Sequence, residues 1–122
     1  MLYAILCYNS EEQVFSWSKD HEARVMSDLG QVQERMAKAK KLGPVARLMP
    51  TSAATTLRKG EKPLVLDGPL AETKEQLLGF YVVECADLEE VLTFAKELGA
   101  ANPGGAYEIR PMLMLNQGTL PA

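Results

Sequence analysis

Two segments of the chain carry apolar residues that recur three or four positions apart, a spacing that places them on one side of an α-helix. The first set is Val25, Leu29, Val32, Met36 and Ala39, and the second is Leu88, Val91, Leu92, Ala95 and Leu98. Good N-cap residue types precede the first helix at residues 18–20, and Asp87 with Glu90 forms a capping pair before the second. Each helix is flanked by strand-like sequence, which predicts two β-α-β halves.

The boundaries follow from turn and breaker residues. The first helix is predicted to run from residues 18–20 to Leu42 and to be stopped by Gly43-Pro44, and the second to stop at Gly99. Strands are predicted at residues 2–8, 45–49, 78–85 and 107–115, with a hairpin whose arms are residues 55–58 and 64–66. Residues 9–13 are predicted to be a polar loop. Pro111 implies an edge position or a bulge in the last strand.

This order of elements predicts an α+β fold of the ferredoxin-like split β-α-β type, with one antiparallel sheet and both helices on one face. Residues 1–122 form a single domain, and the hairpin is an insertion in it. The strands at residues 2–8 and 78–85 are apolar on both faces, although the helices cover only one face. A second copy of the same sheet is the simplest way to bury the other face, so we expect a homodimer through the sheet face.

The composition excludes several classes of function. Hydrophobic residues make up 47% of the chain and charged residues 24%, which is ordinary for a globular protein. The net charge of −3 argues against nucleic-acid binding, which needs clustered Lys and Arg. The apolar start is too short to span a membrane, and Cys7 and Cys85 read as free, buried thiols of a cytoplasmic protein. With one histidine and two distant cysteines, we expect neither a metal nor a cofactor.

A distinctive segment lies between the hairpin and the third strand of the core sheet. Residues 65–77 read VLDGPLAETKEQL and are followed by Gly79-Phe80-Tyr81. This run resembles the signature of the DGPF group within the YCII-like family, and residues 87–91 and 108–111 resemble that family's later helix and last strand. The likeness extends over nearly the whole chain. Leu70 stands where the family usually carries Phe.

The resemblance implies a ferredoxin-like subunit, a dimeric α/β barrel, and a superfamily of small isomerases, dehalogenases and monooxygenases that work in a cleft between sheet and helices. In the YCII-like family a His–Asp pair is suspected of acting as an acid/base couple. DGPF relatives often occur beside extracytoplasmic-function sigma factors, which raises a regulatory alternative. A shared fold does not by itself establish a function.

His21 and Asp67 are the candidate catalytic pair. His21, the only histidine, lies one turn before Val25 on the apolar stripe of the first helix, where a neutral imidazole is a usable general base. The alternative is a histidine that is only solvated or hydrogen-bonded at the helix start. Asp67 ends a predicted strand, where it could orient His21 or simply cap the turn at Gly68-Pro69.

Four further residues are candidates for substrate binding. Arg110 is a charge among apolar neighbours on the last strand, so it could clamp an anion or pair with Glu108 or Glu84. Glu72 and Lys74 could line the rim of a cleft or form a solvated turn with weak ion pairs. Tyr81 could contact a ligand or serve as a core or interface aromatic residue.

Two hypotheses of function remain open at this stage. The first is a metal-independent isomerase- or lyase-type enzyme that acts on a small anionic metabolite through His21 and Asp67, with Arg110 as its clamp. The second is a non-catalytic module that binds a small molecule, or a regulatory module that docks a transcription factor. The resemblance implies a cleft, and the sequence does not identify the ligand.

Overall fold

The computed structural model describes residues 1–121. The helices are α1 (Glu11–Val14), α2 (Lys19–Lys38) and α3 (Leu88–Ala101). The strands are β1 (Leu2–Asn9), β2 (Leu42–Arg47), β3 (Thr55–Arg58), β4 (Leu64–Asp67), β5 (Gln76–Glu84) and β6 (Ala106–Pro111), and a 3-10 turn lies at Thr51–Ala53. No helix in this described part of the chain is both long and apolar enough to cross a membrane.

Four strands form one antiparallel sheet in the order β2-β5-β1-β6. Strands β1 and β5 therefore lie at the centre, and each β-α-β half contributes one central and one edge strand. This is the ferredoxin-like arrangement, so the predicted α+β fold class is confirmed. Strands β3 and β4 form a separate two-stranded hairpin inserted between β2 and β5.

The core lies between the sheet and helices α2 and α3. Successive side chains of a strand point to opposite faces, and Tyr3, Ile5, Tyr81 and Val83 all point toward the helices and are buried. The helices bury their predicted stripes against these strands, through Val25, Leu29 and Val32 from α2 and Val91, Phe94, Ala95 and Leu98 from α3. Most of the hydrophobic stabilisation of the subunit therefore comes from one layer of contacts.

The end of α2 differs from the sequence prediction. The helix stops at Lys38, Ala39 is its C-cap, and Lys40 takes a left-handed conformation with φ of 59°. The Lys40 and Lys41 N–H groups donate to the Ala37 and Met36 carbonyls at 2.9 and 3.0 Å, which is the Schellman arrangement usually built on glycine. Because a lysine fills that position, Gly43-Pro44 is free to enter β2.

Pro44 is tolerated in β2 because this is an edge strand whose register shifts between Leu42 and Val45. Three other boundaries also differ. Helix α3 continues past Gly99 to Ala101, which packs on the core. Strand β6 ends at Pro111 instead of residue 115, and residues 11–13, predicted to be loop, belong to the single helical turn α1. The edge position predicted from Pro111 is confirmed.

The face of the sheet away from the helices is apolar as well. Leu2, Leu6 and Phe80 point to this face and are half-buried, whereas Val82 is buried. Strand β6 adds Glu108 and Arg110, both exposed, opposite Leu6 and Ala4. The two-faced apolar pattern noted in the sequence is therefore present in the folded subunit.

Candidate functional site

A cleft of about 190 Å³ opens between the sheet and α2. Its floor is formed by helix-facing residues near one end of the strands, and α2 forms the wall above them. This volume is about six times the roughly 30 Å³ that one water occupies in the liquid, so the cleft has room for a small organic molecule. Its lining is mostly apolar, with a few polar groups that converge on the interior, as is usual for ligand sites.

Tyr81 and Gln33 form the central polar contact of the cleft. The Gln33 Nε2 group, in the middle of α2, donates to the Tyr81 hydroxyl oxygen at 3.3 Å. The Tyr81 ring packs edge-on against Phe94 with centroids 6.2 Å apart, so it is held by the core behind it. Because the oxygen of Tyr81 already accepts a hydrogen bond from Gln33, its own proton is available to a ligand.

Three neutral titratable groups of the cleft wall are made harder to ionise by their surroundings. Burial raises the pKa of the Cys7 thiol to about 12. Burial, and secondarily the neighbouring Cys7, raises the pKa of Tyr81, although the hydrogen bond from Gln33 acts in the opposite direction. Burial also raises the pKa of Tyr107 above the ordinary value for a phenol. All three groups therefore carry their protons at neutral pH.

Charge is confined to the rim. Arg47, the last residue of β2, is the one charged residue among the cleft-lining residues within 1–121, and its Nη1 lies 3.1 Å from Glu22 Oε1. Both side chains are nearly half exposed, so the pair is partly screened by water. No group of three or more His, Cys, Asp or Glu side chains that could hold a metal ion occurs in the same described range.

His21 lies beside the cleft and is not part of its lining. Its ring packs edge-on against Trp17, with centroids 4.8 Å apart, and Trp17 is a lining residue. The Ser18 hydroxyl caps α2 by accepting the His21 backbone N–H at 3.1 Å. The imidazole is half-buried, and Trp17 stands next to it at the cleft edge.

The other predicted site residues lie elsewhere, apart from Tyr81. Asp67 is exposed at the end of β4, and no hydrogen bond or ion pair joins it to His21 within the described subunit. Glu72 and Lys74 are exposed in the segment before β5 and do not line the cleft. Arg110 points to the opposite face of the sheet, because Tyr107 and Ile109 point to the helix side. The subunit thus does not bring the six candidates together.

Several lining residues were not identified from sequence: Cys7, Trp17, Gln33, Arg47, Asn102 and Tyr107. Gln33 had a usable signal, because it lies four residues after Leu29 and so adds a polar residue to the edge of the apolar stripe of α2. Tyr107 and Cys7 are register partners on neighbouring strands, and that pairing is not visible in one sequence.

Similarity to known proteins extends over nearly the whole length of this chain. A family model described as the YCII-related domain matches residues 1–116. An uncharacterized protein of Rhizobium meliloti is 56% identical over 124 residues, covering 100% of both chains. A solved structure of 5-chloro-2-hydroxyhydroquinone dehydrochlorinase from Burkholderia phenoliruptrix AC1100, in complex with 2,5-dihydroxybenzoquinone, is 15% identical with a TM-score of 0.49, over 92% of this chain and 93% of that one. That structural similarity is too low to carry an inference about ligand or reaction.

Proposed function

This chain belongs to the YCII-related family, and from this premise and the geometry of the cleft we propose that it binds a small organic molecule between α2 and the sheet. The observation that carries the proposal is the Tyr81 hydroxyl, whose oxygen is occupied by Gln33 and whose proton is therefore free to donate to a ligand. The mostly apolar lining lowers the local dielectric constant, which strengthens such a hydrogen bond.

The chemistry of the lining narrows the ligand class. The wall groups that titrate are neutral donors, and the one cation at the rim is already paired with Glu22. A dianion or a phosphate would find no compensating charge inside the cleft, and burial of an unpaired charge is strongly unfavourable. The expected ligand is a largely apolar, uncharged or weakly charged molecule with a carbonyl or hydroxyl oxygen that accepts from Tyr81.

A thermal-shift screen of small carbonyl and phenolic compounds tests this proposal, because a ligand raises the melting temperature in proportion to its binding free energy. Tyr81→Phe removes the hydroxyl, which is both the donor to the ligand and the acceptor of the Gln33 hydrogen bond, and should weaken binding of a hit by about tenfold. Tyr3→Phe is the matched control, since Tyr3 is a buried tyrosine on the same face that does not line the cleft. If no compound gives a shift that depends on the Tyr81 hydroxyl, the proposal is rejected.

Acid–base catalysis by His21 is a second candidate function. It is favoured by one observation, the packing of the imidazole against Trp17 at the edge of the cleft. A catalytic role requires the imidazole ring to reach a bound molecule. The partnership with Asp67 requires, in addition, a contact between His21 and Asp67 that the described subunit does not make. The geometry therefore supports ligand binding more directly than it supports the His–Asp mechanism.

The catalytic candidate has its own test once a hit is identified. His21→Gln keeps a polar side chain of similar size and should abolish turnover of the compound while its binding, read by thermal shift, is retained. An Asp67→Asn variant that changes the NMR titration of His21 would support the proposed pair. Unchanged turnover in His21→Gln would remove this candidate and leave the binding proposal intact.

A further inference from the structure

The Asn102 side chain carries a buried oxygen whose hydrogen-bonding capacity is unused. Among the buried side-chain oxygen and nitrogen atoms of residues 1–121, the Asn102 Oδ1 atom has no hydrogen-bond partner. The same residue lines the cleft between α2 and the sheet. A buried carbonyl oxygen without a partner lowers the stability of a fold. Its position in the wall of a cavity therefore points to a ligand group that pairs with it.

The end of α3 fixes where this side chain lies. Asn102 is the C-cap of α3, and its backbone N–H donates to the Leu98 carbonyl oxygen at 3.0 Å. The loop that follows runs tightly against β1, because a Cβ atom on Gly105 would collide with the Tyr8 carbonyl oxygen. Gly105 avoids this collision and also adopts a left-handed φ of 75°. The backbone before and after Asn102 is thus anchored, which restricts where its amide can lie.

The neighbouring Tyr107 hydroxyl shows which end of the amide is unpaired. Burial raises the pKa of Tyr107, and a hydrogen bond from the Asn102 side chain acts in the opposite direction. A neighbour lowers the pKa of a phenol when it donates, since a donor stabilises the phenolate. Only the Nδ2 group of an asparagine side chain can donate. The Nδ2 end therefore faces Tyr107, and the Oδ1 end is left to accept from another group.

Asn102 and Tyr81 offer opposite hydrogen-bonding functions in one cleft. Tyr107 is a neighbour of both residues, because Tyr81 is also among the groups that shift its pKa. The Tyr81 oxygen accepts from Gln33, which leaves the Tyr81 proton to a ligand. The Asn102 oxygen, in contrast, can only accept. A molecule that satisfies both groups has an acceptor at one position and a donor at another.

We propose that Asn102 is a specificity-determining residue of the cleft, whose Oδ1 atom accepts a hydrogen bond from the ligand. The ligand class is then a neutral compound that carries a carbonyl oxygen together with a hydroxyl or amide N–H group. This inference rests on the proposed binding function and adds a second polar anchor to it. A carbonyl compound without a donor leaves Oδ1 unpaired in the complex, and a site with such an unpaired group discriminates against that compound.

A small set of matched probes tests the role of Asn102. Acetophenone has only the acceptor, meta- and para-hydroxyacetophenone add an O–H donor at two different separations, and their methyl ethers block that donor. Dissociation constants are measured by NMR titration in slightly acidic buffer, where both phenols are protonated. The better hydroxy compound should bind the wild type about tenfold more tightly than acetophenone, and its methyl ether should lose this gain.

Asn102→Leu keeps a side chain of similar size and removes the amide oxygen. This variant should bind the hydroxy compounds no better than it binds acetophenone. Asn116→Leu is the matched control, because Asn116 is exposed outside the cleft and its oxygen already accepts the Gly118 N–H at 2.8 Å. It should retain the preference of the wild type for the hydroxyl. If Asn102→Leu does not fold, Asn102→Ala takes its place in the same comparison.

Tyr81→Phe separates a failure of this inference from a failure of the proposed function. It should weaken the binding of acetophenone and of the hydroxyacetophenones alike. Binding that depends on Tyr81 but gains nothing from the hydroxyl would overturn the role of Asn102 and leave the proposed function intact. A loss of affinity for all probes alike in Asn102→Leu would indicate a purely structural role and would overturn it as well. A ligand screen without any hit that depends on Tyr81 would reject both.

Discussion

Gly79 of β5 lies so close to Ala46 of β2 that a Cβ atom on the glycine would stand 2.3 Å from the Ala46 carbonyl oxygen. Both residues line the cleft, so this close approach of two backbones sets the width of one side of the site. Strand β2 and strand β5 are neighbours in the sheet, and only a residue without a side chain allows them to pair at this position.

Gly79→Ala is therefore expected to force β2 away from β5 and to lower the free energy of unfolding by about 1–3 kcal/mol. Gly30→Ala is the contrasting change, because a Cβ there meets nothing within 4 Å and the site lies inside α2. It should stabilise the protein by roughly 0.5–1 kcal/mol. Urea denaturation of the two variants and the wild type measures both effects, and a destabilisation by both would contradict this account.

The thiol of Cys7 is expected to react slowly in the folded protein. Its pKa is raised by burial from 9.0 to about 12, so at pH 8 the thiolate fraction falls roughly a thousandfold below that of an exposed cysteine. Alkylation by iodoacetamide, followed by mass spectrometry in a Cys85→Ala background, measures the rate. The alkylation rate should increase with pH across the accessible alkaline range and should rise sharply on unfolding in urea. Fast labelling of the native protein at pH 8 would be inconsistent with a buried thiol.

The ion pair between Lys41 and Glu90, with Nζ and Oε1 2.6 Å apart, is expected to make stability depend on pH. The hydrogen bond from Lys41 holds the pKa of Glu90 below its ordinary value of 4.5. The contribution of the ionised Glu90 side chain to the stability of the fold is thus fully present above pH 4.5. It is lost as the pH falls through the lowered pKa of Glu90.

Melting temperatures of the wild type and Glu90→Gln, measured from pH 7 downward, test this linkage. The wild type should be the more stable protein near neutrality, and the difference should shrink in acid. Asp87 still caps α3 in the variant, since it accepts the residue-90 backbone N–H. A difference that stays constant over the acid range would argue against the linkage.

Ser18 should matter to stability because its hydroxyl accepts the His21 N–H at the first turn of α2. Ser18→Ala removes this cap and is expected to reduce the free energy of unfolding by about 1 kcal/mol. Ser27→Ala, an exposed substitution within the same helix, should be neutral or slightly stabilising because alanine is the better helix former. Chemical denaturation of the two variants measures the contrast, and equal effects would mean that the cap is not what stabilises this turn.

The fold was predictable because two stripes of apolar residues and two strands that are apolar on both faces leave few arrangements of one sheet and two helices. The capping pair Asp87 and Glu90 also placed the start of α3 correctly, as the Glu90 N–H donates to Asp87 at 2.9 Å. Glycine was the misleading signal at both helix ends: Lys40 took the left-handed position at the end of α2, and Gly99 remained inside α3.

The cleft was harder to predict from the sequence than the fold. Tyr81 was named among the candidates, but the residues around it come from separate elements, with Gln33 from α2, Cys7 from β1 and Tyr107 from β6. Each of these residues is ordinary in its local context. Only the register of the strands and the position of α2 above them bring the side chains to one place, and neither can be read from local periodicity.

The prolines of the two edge strands limit the addition of further strands to this sheet. Pro44 lies in β2 and Pro111 in β6, the strands at the two edges. A proline has no N–H to offer to an incoming strand, so neither margin is a good template for adding further strands side by side. Lateral polymerisation into a fibril is therefore disfavoured at both margins.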